Sequence, residues 1–366
     1  MRGSLAGAQT DPAEIALRRG PARLDRKQET GTQQKPEGGR NHGRASIRMT
    51  TVGIIIPTLN AAKELPGLLA ALENEGGWDR ILVVDSSSAD ATEQAAAGRP
   101  GVGWLTVPRT EFNHGATREL ARKKLGSDII VLLTQDVIPE PGFLKPLLAP
   151  IRTGVAAVTY ARQLPREGAG FFEAFPREFN YPAESNARTL ADVPRFGVYT
   201  FFCSNSCAAY ANAALDAVGG FQPVLTNEDY FAVAALLKAG YRIHYVADSR
   251  VRHSHRYTLT GEFKRYFDTG YVRAENRWVT KLAGRAEGRG AAYAREMLTR
   301  LMRNAPHLVP YALLQTGVKW LGFRTGYVSP RMPGWWCSRL TAQPYHWLSR
   351  SGTRTVSPAA SGTGGP

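Results

Sequence analysis

Short apolar runs alternate with helix-like segments in the first part of the chain that follows Val52. The run VGIIIPTLN predicts a strand, and the next segment carries leucines at the spacing of one helix face, at Leu65, Leu68, Leu69 and Leu72. Two further apolar runs, RILVV and IIVLL, follow, with the helix-forming segments TEQAAA and ATRELARKKL between them. Strands that alternate with helices indicate an α/β fold with a mainly parallel sheet.

Polar residues follow directly where these predicted strands end. Pro57 and Thr58 end the first run, Asp85 ends the second, and Gln135 and Asp136 come just after the third. The carboxyl ends of parallel strands lie at one edge of a sheet, and ligands bind at that edge in open α/β folds. The pattern therefore predicts a binding site there.

The pattern is looser in the next hundred residues. An apolar segment at 201–210 predicts a strand, and the sequence NEDY opens a helix with Asn227 or Asp229 as its N-cap. Two strand-like segments, RIHYV and SRVRHSH, then end on His253 and His255. Alternate residues of a strand share a face, so the two imidazoles are predicted to lie together.

Composition divides the chain into four segments. Residues 1–48 are polar and rich in Gly, Gln and Arg, which predicts disorder, and translation that begins at Met49 is an alternative explanation of this extension. Residues 50–257 are predicted to form the α/β domain, and 258–350 a helical, basic C-terminal region. The Ser- and Gly-rich segment 351–366 is predicted to be a disordered tail.

The net charge of +15 is distributed unevenly along the chain. Residues 1–48 contribute +5, residues 49–251 contribute −3, and residues 252–350 contribute +12. A protein that recognises a nucleic-acid sequence usually concentrates positive charge on its folded recognition surface, so this distribution argues against nucleic acid as a partner. It favours contact with an anionic membrane surface.

The C-terminal region also carries aromatic residues among its Lys and Arg residues: Trp320, Phe323, Tyr327, Trp335, Trp336 and Trp347. Such a mixture is typical of a peripheral membrane interface, although burial in a helical core is the alternative for each of them. The sequence contains no run of 18 apolar residues, so it predicts no transmembrane helix. Three cysteines are too few for a disulfide framework, so we expect a cytoplasmic protein at the inner face of the cell membrane.

The carboxylates and histidines after the strands have the chemistry of a metal and phosphate site. Asp136 with His253 or His255 could hold a divalent cation, which neutralises a diphosphate leaving group. Asp229, near the start of a helix, could take a proton from an acceptor hydroxyl. Each feature also has a structural alternative, because strand ends, helix caps and surface positions favour the same residue types.

The order of these segments resembles that of the family 2 inverting glycosyltransferases of the GT-A fold. The resemblance covers about residues 52–275 and rests on IIIPTLN, VVDSSSADAT, LLTQDVIPEPGFL, GGF followed by NED, and VRHSH. Within the family, the strings EFNHGATR, LTQD, SNSCAAY and HSHRYT are most similar to bacterial rhamnosyltransferases. Two motifs depart from the family pattern: Asp85-Ser86 stands where the family has two acids, and Thr134-Gln135-Asp136 stands where it has a DXD motif.

The resemblance implies donor-binding roles at the sheet edge and in the loop before the ATRELARKKL helix, for Pro57, Thr58, Asp85, Ser87, Asn113, His114, Gly115, Arg118, Gln135 and Asp136. Asp85 could accept a hydrogen bond from the N3–H of a thymine or uracil ring. Gly115 would let the backbone approach a phosphate or sugar, and Arg118 would offer donors to oxyanions. The structural alternative for this loop is N-capping by Asn113.

The resemblance also implies the reaction and its partners. Asp229 would act as the base with Glu228 positioning the helix or the acceptor hydroxyl, and the sugar would be transferred with inversion. Mg²⁺ or Mn²⁺ would bind at Asp136, His253 and His255. The implied donor is a nucleotide sugar, dTDP-L-rhamnose, with UDP- and GDP-sugars as alternatives. The implied acceptor is a polysaccharide or a lipid-linked oligosaccharide.

Two other classes of protein fit parts of the sequence. A catalytically inactive nucleotide-binding or membrane-associated scaffold would keep the fold without turnover, and one acid is missing from each of two motifs. A nucleotidyltransferase shares the nucleotide-binding α/β design. That class normally carries a glycine-rich basic loop after the first strand, and PTLNAAKEL has none.

Overall fold

The computed structural model describes residues 50–284 and 288–347, which belong to one compact unit. The disorder predicted for residues 1–48 and 351–366 falls outside this described part. Within it the strands are β1 (Val52–Thr58), β2 (Arg80–Asp85), β3 (Val102–Thr106), β4 (Ile129–Leu133), β5 (Ile138–Pro139), β6 (Val158–Leu164), β7 (Asn186–Arg188), β8 (Cys207–Ala211) and β9 (Ile243–Arg252).

Helices cover both the α/β region and the C-terminal region. In chain order they are α1 (Leu65–Glu75), α2 (Thr92–Ala96), α3 (His114–Leu125), α4 (Leu144–Arg152), α5 (Phe171–Asn180), α6 (Val193–Phe196), α7 (Asn212–Ala217), α8 (Glu228–Lys238), α9 (Leu259–Glu275), α10 (Arg277–Ala283), α11 (Gly288–Asn304), α12 (Val309–Val328) and α13 (Gly334–Leu340). Short 3₁₀ helices lie at Leu190–Asp192, Gly197–Phe201, Pro306–Leu308 and Ser329–Arg331. The predicted helical, basic C-terminal region is confirmed.

The strands form one sheet in the order β3-β2-β1-β4-β8-β6-β9-β5, with β7 paired to β9. The four strands β3, β2, β1 and β4 are parallel to one another. Strand β8 lies antiparallel between β4 and β6, while β6 and β9 are parallel. The predicted α/β fold with a parallel sheet is thus confirmed, and the ends of β1, β2 and β4 lie at a common edge.

The central strand β1 is covered on both faces of the sheet. Ile54 and Ile56 belong to an apolar cluster that includes Leu65 of α1, whereas Ile55 belongs to the cluster on the other face, which includes Phe231 of α8. All three isoleucines have no exposed surface. A strand buried on both faces has a continuous apolar sequence, which is why the run was recognisable.

Two strand predictions need correction. Of the segment 201–210, only the part from Cys207 onward is in a strand, because the residues before it turn so that the side-chain amide of Asn205 donates to Glu228. The predicted segments RIHYV and SRVRHSH are not two strands. Residues 243–252 form one strand, β9, which ends before His253 and whose pairing with β6 is irregular after Ala161.

The predicted membrane aromatics differ in exposure. Trp320 and Trp335 are 64% and 61% exposed. Trp347 is only 6% exposed, and its ring lies 4.6 Å from that of Tyr271. Trp347 is a core residue, so the interface role predicted for it is wrong. No helix of the described segments has the length and apolar character needed to cross a membrane.

Helices α9 and α12 pack closely through glycine. A Cβ atom on Gly326 would lie 1.9 Å from the backbone oxygen of Phe267. A Cβ atom on Gly322 would lie 2.5 Å from the backbone oxygen of Phe263. These distances are far below any real carbon–oxygen contact, so the two backbones can approach only because both positions lack a side chain.

We expect Gly326→Ala to destabilise the fold by about 1–3 kcal/mol, because the methyl group would force α12 away from α9. Gly317→Ala in the same helix is the matched control, since a Cβ atom there meets nothing within 4 Å. The control should be neutral or stabilising by up to ~1 kcal/mol through helix propensity. Chemical unfolding of both variants measures the difference, and equal midpoints would contradict the close packing.

Candidate active site

A cavity of about 500 Å³ opens at the carboxyl edge of the parallel strands. This volume is typical of a small-molecule site. Six of the predicted donor residues line it: Pro57, Thr58, His114, Arg118, Gln135 and Asp136. The other four, Asp85, Ser87, Asn113 and Gly115, lie beside or beneath this lining. We call it the donor cavity.

Asp85 lies beneath the donor cavity and is 3% exposed. Its Oδ1 accepts a hydrogen bond from the Thr58 hydroxyl at 3.0 Å, and its Oδ2 accepts from the backbone N–H of Ser88 at 2.7 Å. Ser87 has a left-handed φ of 60° and donates its hydroxyl to the backbone oxygen of Val107. In this structure both residues shape the loop after β2, and Asp85 orients Thr58; their contact with a nucleobase stays a prediction.

The loop that precedes α3 is built differently from the expectation. Oδ1 of Asn113 accepts from the backbone N–H groups of Gly115 and Ala116, at 3.1 and 3.0 Å, so Asn113 is the N-cap and the structural alternative describes its side chain. A Cβ atom on Gly115 would lie 1.7 Å from the backbone oxygen of Gln222. The glycine is required by this neighbouring chain segment, and the approach of a ligand to the Gly115 backbone stays a prediction.

Asp136, His253 and His255 converge at one end of the donor cavity. Oδ2 of Asp136 lies 3.2 Å from Nε2 of His253 and 3.3 Å from Nε2 of His255. All three ligand atoms lie within 4.8 Å of one another. Neighbouring ligands of one cation with bonds of about 2.1–2.3 Å are separated by about 3 Å, so the group fits a divalent ion. Both histidines, rather than one, meet Asp136.

The surroundings keep these groups in ligating form. Nδ1 of His253 lies 3.0 Å from Oε1 of Gln163; with Nδ1–H donating, the Nε2 lone pair faces Asp136. Burial lowers the pKa of His253, and burial followed by the charge of His253 lowers the pKa of His255 to about 4. Burial alone would raise the pKa of Asp136, but the hydrogen bond and charge of His253 hold it well below its ordinary value. At neutral pH the site offers two neutral imidazoles and a carboxylate.

A buried ion pair lies between the donor cavity and helix α8. Nε of Arg118 is 3.2 Å from Oε1 of Glu228, and both side chains are almost fully buried. Arg118 also donates to the backbone oxygen of His114 at 3.0 Å, and Asn205 donates to Glu228 at 2.9 Å. Burial would raise the pKa of Glu228, but Arg118, His114 and Asn205 together hold it below its ordinary value. Glu228 is therefore ionised.

Asp229 has the opposite electrostatic environment. Its Oδ1 accepts from the backbone N–H of Tyr230 at 2.7 Å and its Oδ2 from that of Asn205 at 3.3 Å. Burial and the neighbouring charge of Glu228 raise the pKa of Asp229 to about 7. Asn227 occupies the N-cap position of α8, one of the two predicted alternatives, but it has a left-handed φ of 61° and its side chain makes no capping hydrogen bond. The strained turn aims Asp229 toward a second cavity.

This second cavity, of about 560 Å³, is lined by Asp229 and, on its other walls, by residues of α5, α9 and α11. His255 lines both this cavity and the donor cavity. The cluster of Asp136, His253 and His255 thus borders both cavities through His255, and Asp229 lines the second cavity. Such an arrangement can hold a phosphate-bearing ligand on one side and a hydroxyl-bearing ligand on the other.

Among the residues of the donor cavity to which sequence reasoning assigned no role are Arg109, Arg166 and Gln343. Nη2 of Arg166 lies 3.7 Å from Oδ2 of Asp136, and Nε2 of Gln343 lies 3.2 Å from Nε2 of His114. Gln343 comes from the segment after α13, which is held because Asp268 accepts from the backbone N–H of Ala342 at 3.0 Å. No local motif surrounds these residues, and only the basic character of Arg109 and Arg166 was a signal.

Comparison with known proteins places this geometry in context. The chain is 35% identical over 300 residues to the O-antigen chain rhamnosyltransferase RfbN of Salmonella typhimurium, covering 81% of this chain and 96% of that protein. It is also 35% identical to the O-antigen chain rhamnosyltransferase WbaN of Salmonella anatum, covering 82% and 96%. Among solved structures, S. aureus TarS 1–349 in complex with UDP-GlcNAc gives a TM-score of 0.48 at 16% identity, covering 77% of this chain and 92% of that one.

The family described as "Glycosyltransferase like family 2" matches residues 50–281. This range contains both the metal-ligand cluster and the Glu228–Asp229 pair. The match covers more than half of the chain, and the two Salmonella relatives extend it into the C-terminal helices. The chain therefore belongs to glycosyltransferase family 2 and is a GT-A type glycosyltransferase.

Proposed function

We propose that this enzyme transfers L-rhamnose from dTDP-L-rhamnose, with inversion, to a glycan or lipid-linked oligosaccharide in the assembly of a surface polysaccharide. The two relatives named as O-antigen chain rhamnosyltransferases support the sugar and the class of product. The observation that carries the mechanism is the position of Asp229 in the second cavity, across His255 from the donor cavity.

In this mechanism Asp229 accepts the proton of the acceptor hydroxyl. The hydroxyl oxygen forms a bond to the anomeric carbon while the bond from that carbon to the diphosphate oxygen breaks, so dTDP leaves from the opposite face. One carboxylate is sufficient, because a single displacement needs one base and no covalent intermediate. The raised pKa of Asp229 suits a base that works near neutral pH, which favours catalysis over an inactive scaffold.

Asp136, His253 and His255 would hold Mg²⁺ or Mn²⁺. When bound, such an ion neutralises charge on the leaving diphosphate. Arg118 and Arg166, which line the same cavity, would offer further hydrogen-bond donors to phosphate oxygens. Asp85 would contribute indirectly by fixing Thr58 at the nucleobase end.

The donor assignment is tested by incubating the purified enzyme with dTDP-L-rhamnose, UDP-sugars and GDP-sugars in the presence of lipid extract from the native host. We expect release of dTDP to exceed release of UDP or GDP. A clear preference for a UDP- or GDP-sugar would reject rhamnose as the sugar and leave the family assignment intact.

We further propose that helix α12 contacts the inner face of the cell membrane. Leu313, Leu314, Trp320, Leu321 and Val328 are 40–64% exposed. The spacing from Leu313 through Trp320, Leu321 and Val328 repeats on one helix face, and Arg324 lies on it. An apolar stripe with positive charge is the pattern of an interfacial helix.

Asp229→Asn should lower turnover by roughly 10² to 10⁴, because the amide cannot take a proton. The dissociation constant for dTDP, measured by calorimetry, should stay nearly unchanged. Asp248→Asn, at an exposed position of β9, is the matched control and should keep normal turnover. Near-normal turnover in a folded Asp229→Asn enzyme would reject the base assignment and direct attention to Glu228.

The pH profile gives an independent test of the same base. Since the deprotonated form reacts and burial with Glu228 raises the pKa to about 7, wild-type turnover should rise with pH through about 7 and then level off. Glu228→Gln removes the neighbouring negative charge, so the acid limb should move to lower pH. An unmoved limb would show that another group titrates.

Asp136→Asn, His253→Ala and His255→Ala should each weaken binding of Mn²⁺ by about tenfold or more, because each removes a converging ligand. Electron paramagnetic resonance titration of the protein with Mn²⁺ measures this directly. His307→Ala, at an exposed position, is the control. If only one histidine variant loses affinity, the other imidazole is not a ligand.

Trp320→Ser and Leu321→Ser should reduce binding to vesicles that contain phosphatidylglycerol, since each side chain contributes about 1.5–3 kcal/mol when it is buried. Leu120→Ser is the matched control, because Leu120 is 51% exposed and belongs to a different helix, α3. Sedimentation with vesicles measures the bound fraction. If the wild type binds neutral vesicles as well as it binds vesicles with phosphatidylglycerol, electrostatic attraction does not contribute to membrane contact.

A further inference from the structure

The second cavity has more positive than negative side chains in its lining. Its cations are Arg177, Arg265, Arg273, Arg289 and Lys319, and its acids are Glu173, Asp229 and Glu262. Under the proposed function this is the acceptor side, because Asp229 faces it. A neutral sugar alone gives no reason for such a charge.

Two of the three acids are already engaged. Glu262 is ion-paired with Lys319 at 3.3 Å and with Arg265 at 3.5 Å. Glu173 accepts from the backbone N–H of Gly170 at 2.8 Å, as part of the start of α5. Lys319 and Arg265 are therefore neutralised by Glu262. The guanidinium groups of the other three arginines in the lining have no such partner among the residues that the structure describes.

Arg177, Arg273 and Arg289 form no ion pair with any carboxylate in the described part of the chain. Aromatic rings hold two of them: Arg273 lies 3.6 Å from the ring centre of Tyr230, and Arg289 lies 3.5 Å from that of Tyr199. Stacking fixes a guanidinium without neutralising it. Burial lowers the pKa of Arg289, as expected for a cation held without a compensating anion.

We propose that this cavity binds a phosphate or diphosphate group of the acceptor through Arg177, Arg273 and Arg289. This inference rests on the proposed function for the identity of the acceptor side. Three guanidinium groups, two of them held by aromatic rings, offer more donors and charge than a single carboxylate can use, whereas a diphosphate carries several charges and many acceptor oxygens. Phosphate chemistry therefore fits better than a uronic acid.

The placement also limits where the accepting hydroxyl lies. Arg273 stacks on Tyr230, the residue that follows Asp229 in the chain. A cavity of about 560 Å³ holds a ligand of drug-like size rather than a long polymer. The hydroxyl that reaches Asp229 would thus lie on a sugar close to the phosphate.

The test measures binding with the donor cavity already filled. Wild-type enzyme saturated with dTDP and Mg²⁺ is titrated in a calorimeter with octyl diphosphate esters of glucose, galactose and mannose. The octyl glycosides of the same sugars, octyl glucuronide and inorganic phosphate are titrated in parallel. We expect at least one diphosphate ester to bind about tenfold or more tightly than its glycoside, since charged hydrogen bonds are lost without the phosphate.

Arg273→Gln and Arg289→Gln should each remove most of this preference while the affinity for dTDP stays unchanged. Arg273→Lys, which keeps the charge, should retain part of it and reports on the site if a Gln variant is unstable. Arg300→Gln is the matched control, because Arg300 lies on α11 with Arg289 but pairs with Glu178 and Glu296 outside the cavity lining.

Equal binding of glycosides and diphosphates by the wild type would overturn the proposal, and so would equally tight binding of the glucuronide. Inorganic phosphate that binds as tightly as the esters would assign the site to a free anion and reject it as an acceptor subsite. The readout needs no sugar transfer. If dTDP-L-rhamnose is not the donor, the preference for diphosphate esters remains measurable.

Discussion

The buried ion pair between Arg118 and Glu228 is the interaction on which the site depends. It joins α3, whose first residue His114 lines the donor cavity, to α8, whose second residue is Asp229. Removal of either partner would leave an uncompensated buried charge, which typically costs about 3–5 kcal/mol. The pair therefore fixes the distance between the donor loop and the base, and it also sets the charge that the base experiences.

Two adjacent carboxyl groups consequently behave differently. Glu228 is stabilised as an anion by Arg118 and Asn205, and its charge then opposes ionisation of Asp229. Neighbouring acids with separated pKa values are a common way for an enzyme to obtain a base near pH 7. Here the separation arises from one arginine that reaches Glu228 and leaves Asp229 to the backbone amides of Asn205 and Tyr230.

The sequence predicted the sheet edge well because β1, β2 and β4 are buried on both faces and read as continuous apolar runs. It also predicted that Asp136 and the two histidines lie together, although β9 ends at Arg252 and both histidines belong to the segment that follows the strand rather than to the strand itself. It did not predict the turn at Asn205, where side-chain contacts replace strand pairing.

Gly115 shows a further limit of sequence reasoning. The sequence indicates that a position lacks a side chain, but whether a ligand or the Gln222 backbone occupies the space depends on tertiary packing. Gln343 was not predictable for the same reason, because its place in the donor cavity results from contacts between distant segments. Arg273 and Arg289 were recognisable only as basic residues of a helical region, and their lack of carboxylate partners is a property of the folded chain.

The contact between Gln343 and His114 spans 229 residues of sequence. Contacts of such long range form only after the intervening chain has been ordered, because closing a large loop costs entropy before any contact compensates for it. The wall that Gln343 supplies therefore forms only after the 228 residues between it and His114 have been made and folded. The donor cavity is thus completed only when Gln343 has packed against the start of α3.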